Sequence, residues 1–462
     1  MPEKKKHIIW RAIRGEEDNF VQGSIKNALI LLAIPMILEM IMESLFAIVD
    51  TFWVSRISTE AVATVGITEA LLMIIESVAI GVSMAGTALI ARRIGEKNQA
   101  AAKKIIFNVL LVGVSLSIAI GIICFLYADK ILLMMGSDAH LVEQGKTYTS
   151  IILGFNIILM LLFVLNGIFR GAGNAAIAMR TLWLANGLNL VLDPLLIFGF
   201  WILPGMGLKG AAIATCIGRG IGVLYQLKYL FKEDFVLKMS LPDFKFSSVI
   251  LKKIISIASG GAGQFLIATA SWVFLIRIIN HFGSQAVAGY TIAIRVIIFS
   301  ILPSWGLSNA VATLVGQNLG ARKPDRAEQT VWMAGKYNMI FLLMLSVIFF
   351  IFSEPIIGIF SDDAIVVSYG VAPLRILCAG YIFFAYQMVI GQAFNGAGDT
   401  RTPTLMNFSI LWLIQIPLAY VMAITWDMGP NGVYITISVC NALLALLGIY
   451  LFRRGKWKET VI

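Results

Sequence analysis

Residues 26–55 read KNALILLAIPMILEMIMESLFAIVDTFWVS, a stretch of 30 residues with four charged side chains. Spanning the hydrocarbon core of a bilayer takes about 20 apolar residues, because lipid offers no partners to backbone polar groups and a helix satisfies them internally. The stretch meets that requirement. It therefore predicts a membrane-spanning helix near the start of the chain.

Similar apolar runs recur along all 462 residues. The chain is 59% hydrophobic and 13% charged, whereas a soluble domain has about a quarter of its residues charged. We therefore predict an all-α membrane protein with twelve transmembrane helices. The predicted spans are residues 26–55, 61–90, 105–128, 146–169, 177–200, 210–231, 250–280, 286–316, 331–353, 366–393, 404–425 and 431–452.

The basic residues indicate which side of the membrane each connection faces. Lys and Arg cluster in alternate connections, for example at Arg92 and Arg93 and again at Arg322 and Lys323, and the connections between them are poor in basic residues. Cytoplasmic connections carry such an excess. We therefore expect a multi-pass protein of the cell (inner or plasma) membrane with both termini in the cytoplasm. The net charge of +10 is then a topology signal and not a sign of nucleic-acid binding.

The two halves of the chain repeat one another. A shift of 225 positions places residues 169–174 (FRGAGN) on 394–399 (FNGAGD) and 89–95 on 314–320. Each half holds an even number of spans, so the repeat is parallel and predicts two six-helix bundles with a cavity between them. The predicted domains are a cytoplasmic tail (1–25), an N-lobe (26–232), an inter-lobe linker (233–249), a C-lobe (250–453) and a second tail (454–462).

The first span carries three acids at membrane depth, Glu39, Glu43 and Asp50. At 100° per residue the three side chains share one helix face. A charged residue inside a membrane costs about 2.5–3.5 kcal/mol on insertion scales, so this face is expected to point into the bundle. Pro35 lies one turn away and weakens the helix there.

The fifth span places Asn186, Asn189 and Asp193 on one face, and Pro194 follows directly. Carboxylate and amide oxygens can bind Na⁺, and a shared dry pocket can equally make one carboxylate a proton carrier. Both chemistries remain open at this stage.

A purely structural role for these acids is the alternative interpretation. Arginines predicted within spans could simply neutralise these acids. Acids close to the end of a span could be exposed to water. We interpret Asp50 and Asp193 as functional residues. For Glu39, Glu43, Glu69 and Glu76 we prefer the structural interpretation. The candidate arginine partners are Arg219, Arg277, Arg295 and Arg375.

Four motifs together resemble the multidrug and toxic compound extrusion (MATE) family. They are residues 34–36 (IPM), 49–54 (VDTFWV), 315–321 (VGQNLGA) and 395–403 (NGAGDTRTP). The resemblance covers nearly the whole chain. It implies an antiporter, not an enzyme, that exports organic cations and amphipathic toxic compounds in exchange for Na⁺ or H⁺. We accordingly expect no cofactor beyond the coupling ion, small-molecule drugs and the lipid bilayer as partners, no nucleic acid, and a monomer.

The resemblance also implies roles for individual residues. Asp50, Asn189, Asp193 and, less securely, Thr215 match positions that bind the coupling ion, which makes Asp50, Asn189 and Asp193 a possible Na⁺ site. Asn166 matches a lobe-lining position, and Pro35 matches a proline that bends during the cycle.

The seventh and tenth spans depart from one branch of the family, because neither carries an acid. This pattern resembles the branch named for a DNA-damage-inducible member (DinF-like), in which coupling occurs in the N-lobe. The residues expected to line the substrate cavity are Glu43, Asn166, Gln264 and Gln387. Polar helix packing is the alternative role for the two glutamines.

Other functions stay open as alternatives. A lipid-linked oligosaccharide flippase of the same superfamily could use the intramembrane arginines on a pyrophosphate, but such proteins often have fourteen spans. An enzyme would need a catalytic cluster, and the three histidines (His7, His140 and His281) lie outside the spans or at their ends.

Overall fold

A computed structural model describes residues 2–16, 19–201, 203–233 and 235–462. Within these residues the chain is helical except for one short hairpin. The strands are β1 (Gly199–Phe200) and β2 (Leu203–Pro204), which pair antiparallel. The N-terminal helices are α1 (Pro2–Arg14), α2 (Ile25–Ser55), α3 (Thr59–Gly95), α4 (Gln99–Leu126), α5 (Ala128–Met134), α6 (Ala139–Gly154), α7 (Asn156–Ala172), α8 (Ala175–Phe198) and α9 (Leu208–Leu230).

The second half repeats this order. Two π-helical segments, Phe408–Gln415 and Val421–Thr425, flank α16, where Pro417 has no N–H to donate. Short 3₁₀ helices cover Leu241–Asp243 and Lys456–Glu459. The helices are α10 (Ser248–Asn280), α11 (Ser284–Gly320), α12 (Pro324–Gly358), α13 (Ala364–Ala379), α14 (Tyr381–Ala397), α15 (Arg401–Asn407), α16 (Ile416–Tyr420) and α17 (Pro430–Arg453).

In the part of the chain that the structure describes, the long helices make up twelve spans. Eleven segments are long and apolar enough to cross a membrane, and the twelfth is the pair α13–α14, which bends by 59° at Gly380. The fourth span breaks at the corresponding place, where Phe155 separates α6 from α7. Every predicted span falls on one of these segments, so the all-α membrane fold is confirmed apart from the small hairpin.

Glycines mark where helices of the two lobes cross. A Cβ atom on Gly95 would lie 2.0 Å from the Gln317 carbonyl oxygen, and one on Gly320 would lie 2.1 Å from the Arg92 carbonyl oxygen. The same shift of 225 residues relates Gly95 to Gly320 and Arg92 to Gln317. Only a residue without a side chain permits such close backbone contact between α3 and α11. The parallel repeat is therefore present in the helix packing as well as in the sequence.

The lobes are packed together on one face of the molecule. We call it the terminal face, because α1 and residues 454–462 lie on it. Two large apolar clusters there combine residues of both lobes, whereas each smaller cluster belongs to one lobe. The C-terminal residues contact both lobes: Trp457 stacks on Phe452 of the C-lobe at 4.6 Å, and Arg92 of the N-lobe donates to the Thr460 carbonyl oxygen at 2.9 Å. The two apolar clusters that join the lobes thus close the terminal face.

The predicted linker, residues 233–249, folds onto the N-lobe. Leu237 is fully buried. Asn108 on α4 donates to the Lys245 carbonyl oxygen and accepts from the Ser247 N–H, each at 3.0 Å. Hydrogen bonds from Ser240 lower the pKa of Asp243 below its ordinary value. This connection is therefore held in place.

We predict that Gly95→Ala and Gly320→Ala each destabilise the protein by about 1–3 kcal/mol, because the added methyl groups meet backbone atoms that cannot move aside. Gly66→Ala on α3 is the matched control, since no atom lies within 4 Å of a Cβ there. That change should be neutral or stabilise by up to about 1 kcal/mol. Thermal unfolding of the purified protein in detergent measures the stability of all three variants. Equal changes in stability would contradict the close crossing of α3 and α11.

Candidate functional site

Three of the predicted coupling residues lie together where α8 packs on α9. Asp193 is fully buried, and Asn189 lies one turn before it on the same face. With its side-chain nitrogen toward Asp193, the Asn189 amide donates to Asp193 Oδ2 at 2.5 Å and accepts from the Thr215 N–H at 3.1 Å. Turned over, the same amide donates to Thr215 Oγ1 at 3.3 Å. Asn189 therefore joins the acid of one helix to the threonine of the next.

Asp50 approaches this group from α2, which packs along α8. It is half-buried, and its carboxyl is near enough to Asp193 for the two charges to interact. Tyr148 on α6 is buried at the same place and interacts electrostatically with both acids. Nothing in the sequence pattern singled out Tyr148, because tyrosines near span ends are common. Two carboxylates, an amide and two hydroxyls thus meet inside one bundle.

This donor set suits a small hard cation or a proton. Oxygen atoms are the ligands such cations prefer, and carboxylates are the groups that can take up a proton. Asp50, Asn189, Asp193 and Thr215 supply only oxygen donors to a cation. Among the described residues no group of three or more His, Cys, Asp or Glu side chains is arranged to hold a metal ion, so a tight divalent site is not indicated here.

Glu39 has a different partner from those expected. It is fully buried and pairs with Arg170 on α7, and Asn166 donates to its Oε1 at 3.1 Å. Gln226 donates in turn to the Asn166 side-chain oxygen at 2.6 Å. From the sequence we named only Arg219, Arg277, Arg295 and Arg375 as candidate partners. Those expectations were wrong for Glu39, because helix periodicity gives the face of a residue and not which neighbouring helix covers it.

Glu43 does pair with one of the expected arginines. Its Oε1 lies 3.7 Å from Arg219 on α9, whose guanidinium also lies 5.1 Å from the centre of the Phe46 ring. The charge of Arg219 acts in addition on Asp50, Glu69 and Glu76.

The other three candidate arginines belong to the C-lobe, and the structure gives contacts for two of them. Arg295 interacts electrostatically with Glu69 across the lobes, as the pairing interpretation allowed. Arg375 instead donates to Ser353 Oγ at 2.7 Å within its own lobe.

A cavity of about 270 Å³ lies between the lobes and is lined by residues of both. Glu43 and Asn166 line it, as predicted for the substrate cavity. Neither Asp50 nor Asp193 is among its lining residues in the described structure. Its other polar and aromatic walls include Glu39, Glu76, Arg170, Arg219, Phe163, Phe265, Trp305, Gln392 and Asn395.

A second cavity of about 260 Å³ adjoins the first inside the C-lobe. The two share Phe265, Trp305, Gln392 and Asn395 as walls, and no charged side chain lines the second. Gln264 and Gln387 line this second cavity and not the first, and whether they contact a substrate stays a prediction. The Gln264 amide is already occupied, donating to Asn395 Oδ1 at 3.0 Å and to the Thr400 carbonyl oxygen at 3.2 Å. Gln387 Oε1 has no hydrogen-bond partner.

Comparison with known proteins supports the resemblance seen in the motifs. A sequence model of the MatE family matches residues 35–195 and again 262–421, which is one match in each lobe. The chain is 28% identical over 439 residues to the "Probable multidrug resistance protein NorM" of Thermotoga maritima, covering 95% of this chain and 94% of the relative. It is 25% identical to the "FAD transporter" of Shewanella oneidensis, covering 95% and 97%.

Among solved structures, "Crystal structure of MATE in complex with MaL6" superposes with a TM-score of 0.90 at 27% identity. The match covers 96% of this chain and 99% of that chain. The agreement extends over both lobes and supports the architecture of two six-helix bundles.

We predict that Arg170→Met destabilises the protein by about 3–5 kcal/mol, because it leaves the Glu39 carboxylate buried without its counter-charge. Adding Glu39→Gln should recover much of the loss, since the pair is then replaced by neutral groups. Arg401→Met, at an exposed arginine, is the control and should change stability little. A double-mutant cycle on thermal unfolding tests this, and strictly additive effects would show that the two residues act independently.

Proposed function

The chain belongs to the MatE family, and from that premise we propose that it is a multidrug efflux antiporter. It exports organic cations and other amphipathic toxic compounds in exchange for Na⁺ or H⁺. The observation that carries the proposal is the meeting of Asp50 and Asp193 inside one bundle, beside a cavity with acidic and aromatic walls. A relative named as a multidrug resistance protein supports the substrate class.

Charge at the cavity favours cationic substrates. Three acids and two arginines line it, and one of those acids, Glu39, is neutralised by its pair with Arg170. Glu43, Glu76 and Arg219 then leave one net negative charge to face a substrate. Phe265 and Trp305 add stacked rings, with centroids 5.5 Å apart, and aromatic faces attract organic cations.

We assign ion coupling to the N-lobe, as in the DinF-like branch. Asp50, Asn189, Asp193 and Thr215 all belong to α2, α8 and α9. The corresponding cavity in the C-lobe is lined by neutral side chains alone. Neutral side chains cannot drive cation exchange by gaining or losing charge. We therefore propose that the C-lobe cavity holds the apolar part of a drug.

The mechanism follows from the charge change at the two carboxylates. The lobes are closed on the terminal face, which the basic residues predict to be cytoplasmic, so the structure corresponds to an outward-facing state. One Na⁺ or one proton that binds at Asp50 and Asp193 offsets one of their two negative charges, which reduces their repulsion and alters the packing of α2. A ligand that binds one state more tightly shifts the population toward it.

Pro35 is the place where α2 can respond. Its ring nitrogen has no hydrogen to donate, so the helix lacks one backbone hydrogen bond there. Directly beside it, a Cβ on Gly306 of α11 would lie 2.6 Å from the Met36 carbonyl oxygen. Bending α2 at Pro35 therefore changes a contact between the lobes, which links the coupling site to opening and closing.

An anionic dinucleotide is the second candidate substrate. It is favoured by the relative named as an FAD transporter and by the two arginines in the cavity wall. The surplus of acids makes it the weaker candidate. The flippase alternative is weaker again, since such proteins often have fourteen spans and this chain has twelve in its described part.

We predict that Asp50→Asn abolishes ion-driven accumulation of ethidium in proteoliposomes. A tenfold gradient of one coupled ion provides about 1.4 kcal/mol, so the wild type should sustain about a tenfold ethidium gradient. The variant should only equilibrate ethidium, because it has lost one of its two titratable coupling groups. Na⁺ and pH gradients imposed separately identify the ion.

Asp362→Asn is the control, since this acid is exposed and outside the bundle. Undiminished accumulation by Asp50→Asn would remove Asp50 from the mechanism. Accumulation of FAD but not of ethidium by the wild type would favour the second candidate.

A further inference from the structure

A basic cavity on the terminal face has no part in the mechanism above. It has a volume of about 300 Å³ and lies where the end of α3 meets the starts of α4 and α10. Arg93, Lys104 and Lys253 line it, and none of its lining residues in the described structure is an acid. The cavity also has an apolar part, formed by Leu89, Ile105, Val249 and Ile250.

Two of the three cations have no counter-charge. Arg93 is satisfied, since it donates to Glu96 Oε2 and to the main-chain oxygen of Ile462, each at 2.5 Å. Neither Lys104 nor Lys253 forms an ion pair or a side-chain hydrogen bond with any residue that the structure describes. The cavity therefore keeps two positive charges that the folded chain does not compensate.

The C-lobe shows how the chain itself can occupy the equivalent position. Shifted by 225 residues, Asn98 and Ala101 of this cavity fall on Lys323 and Arg326 at the start of α12. Arg326 donates to three carbonyl oxygens of residues 20–23, at 2.9, 3.0 and 3.3 Å, and Lys323 donates to a fourth at 2.9 Å. The segment before α2 thus supplies the acceptors for both cations.

The corresponding segment of the N-lobe makes different contacts. The same shift places residues 20–23 on 245–248. There Asn108 on α4 donates to the Lys245 carbonyl oxygen at 3.0 Å, and no carbonyl oxygen of the described residues accepts from Lys104 or Lys253. Acceptors for these two lysines must therefore come from outside the chain.

The depth of the cavity indicates where those acceptors come from. Leu89, Ile105 and Ile250 lie at the ends of the second span and at the starts of the third and seventh spans, on the side that the basic residues predict to be cytoplasmic. Val249 at the rim is 64% exposed. Ammonium groups beside exposed apolar residues at this level stand at the height of phospholipid headgroups, and basic pockets between transmembrane helices suit anionic headgroups.

We propose that this cavity binds one anionic phospholipid. Its phosphate oxygens accept hydrogen bonds from Lys104 and Lys253, and its glycerol and acyl part packs on Ile105 and Val249. A phosphatidylcholine headgroup carries a positive charge of its own, which the two lysines repel. The bound lipid contacts α3 and α4 of the N-lobe and α10 of the C-lobe, so it stabilises the closed terminal face. This inference holds whichever substrate the protein exports.

Native mass spectrometry of the purified full chain measures binding of the first phosphatidylglycerol molecule, with phosphatidylcholine of the same acyl chains as the comparison. Phosphatidylglycerol should bind at least about tenfold more tightly, because each lysine near an anionic lipid contributes about fivefold in affinity. Thermal unfolding then compares phosphatidylglycerol with inorganic phosphate, since a ligand of the folded state raises the unfolding temperature. The lipid should raise it, and inorganic phosphate should not.

Three variants locate the binding. Lys104→Gln combined with Lys253→Gln should weaken phosphatidylglycerol binding at least about tenfold. Lys26→Gln combined with Lys252→Gln is the matched control: it removes the same charge from two exposed lysines that do not line the cavity, and should change binding by less than about twofold. Ala101→Phe keeps the charge but fills the cavity, so it should also weaken binding.

Four results would overturn the inference. They are equal affinity of the folded wild type for the two lipids, equal loss of binding in the two double variants, unchanged binding in Ala101→Phe, and stabilisation by inorganic phosphate alone. The second result would show that surface charge in general holds the lipid, and the last would assign the lysines to a soluble anion. If the Lys104 and Lys253 double variant does not fold, Ala101→Phe decides.

Discussion

An ionised side chain inside a membrane-spanning bundle must be compensated, and this requirement organises the N-lobe. Leaving one buried carboxylate without a partner costs several kcal/mol, so each acid at membrane depth is compensated by the residues around it. Glu39 is compensated fully, by Arg170 and Asn166. Glu43 is compensated only by the longer contact to Arg219. Asp193 is surrounded by Asn189, Thr215 and a second acid, which compensate it least.

This gradation separates acids that hold the bundle together from acids that can change partners. A short, fully buried pair such as Glu39–Arg170 has no reason to open during a transport cycle. A carboxylate with neutral neighbours and another acid nearby gains most from a cation that arrives from water. The N-lobe therefore contains a short buried ion pair (Glu39–Arg170), a longer ion pair in the cavity wall (Glu43–Arg219) and the proposed coupling carboxylates Asp50 and Asp193.

The C-lobe has the same helix order and crossings but no corresponding charges. Gly81 and Gly306, related by the 225-residue shift, make equivalent close contacts: a Cβ on Gly81 would lie 2.4 Å from the Ala258 carbonyl oxygen. The repeat is thus conserved in backbone packing, where glycine is required, and has diverged in the interior, where polarity sets function. The neutral cavity beside Gln387 and the charged cavity beside Glu43 share aromatic walls, which suits a ligand with one charged end and one apolar end.

The sequence by itself determined the twelve spans, the parallel repeat, the missing backbone donor at Pro35 and the face that Glu39, Glu43 and Asp50 share. These properties depend on composition and on the 3.6-residue period of a helix, which are local. It also grouped Asn189 and Asp193 on one face, and the match to known motifs added Thr215. Only the tertiary structure decided that Arg170 pairs with Glu39, that Tyr148 is buried close to the coupling residues, and that Gln264 borders a second cavity. The reason is physical: periodicity fixes the direction in which a side chain points, whereas its partner depends on which helix packs opposite, and that is a property of the whole bundle.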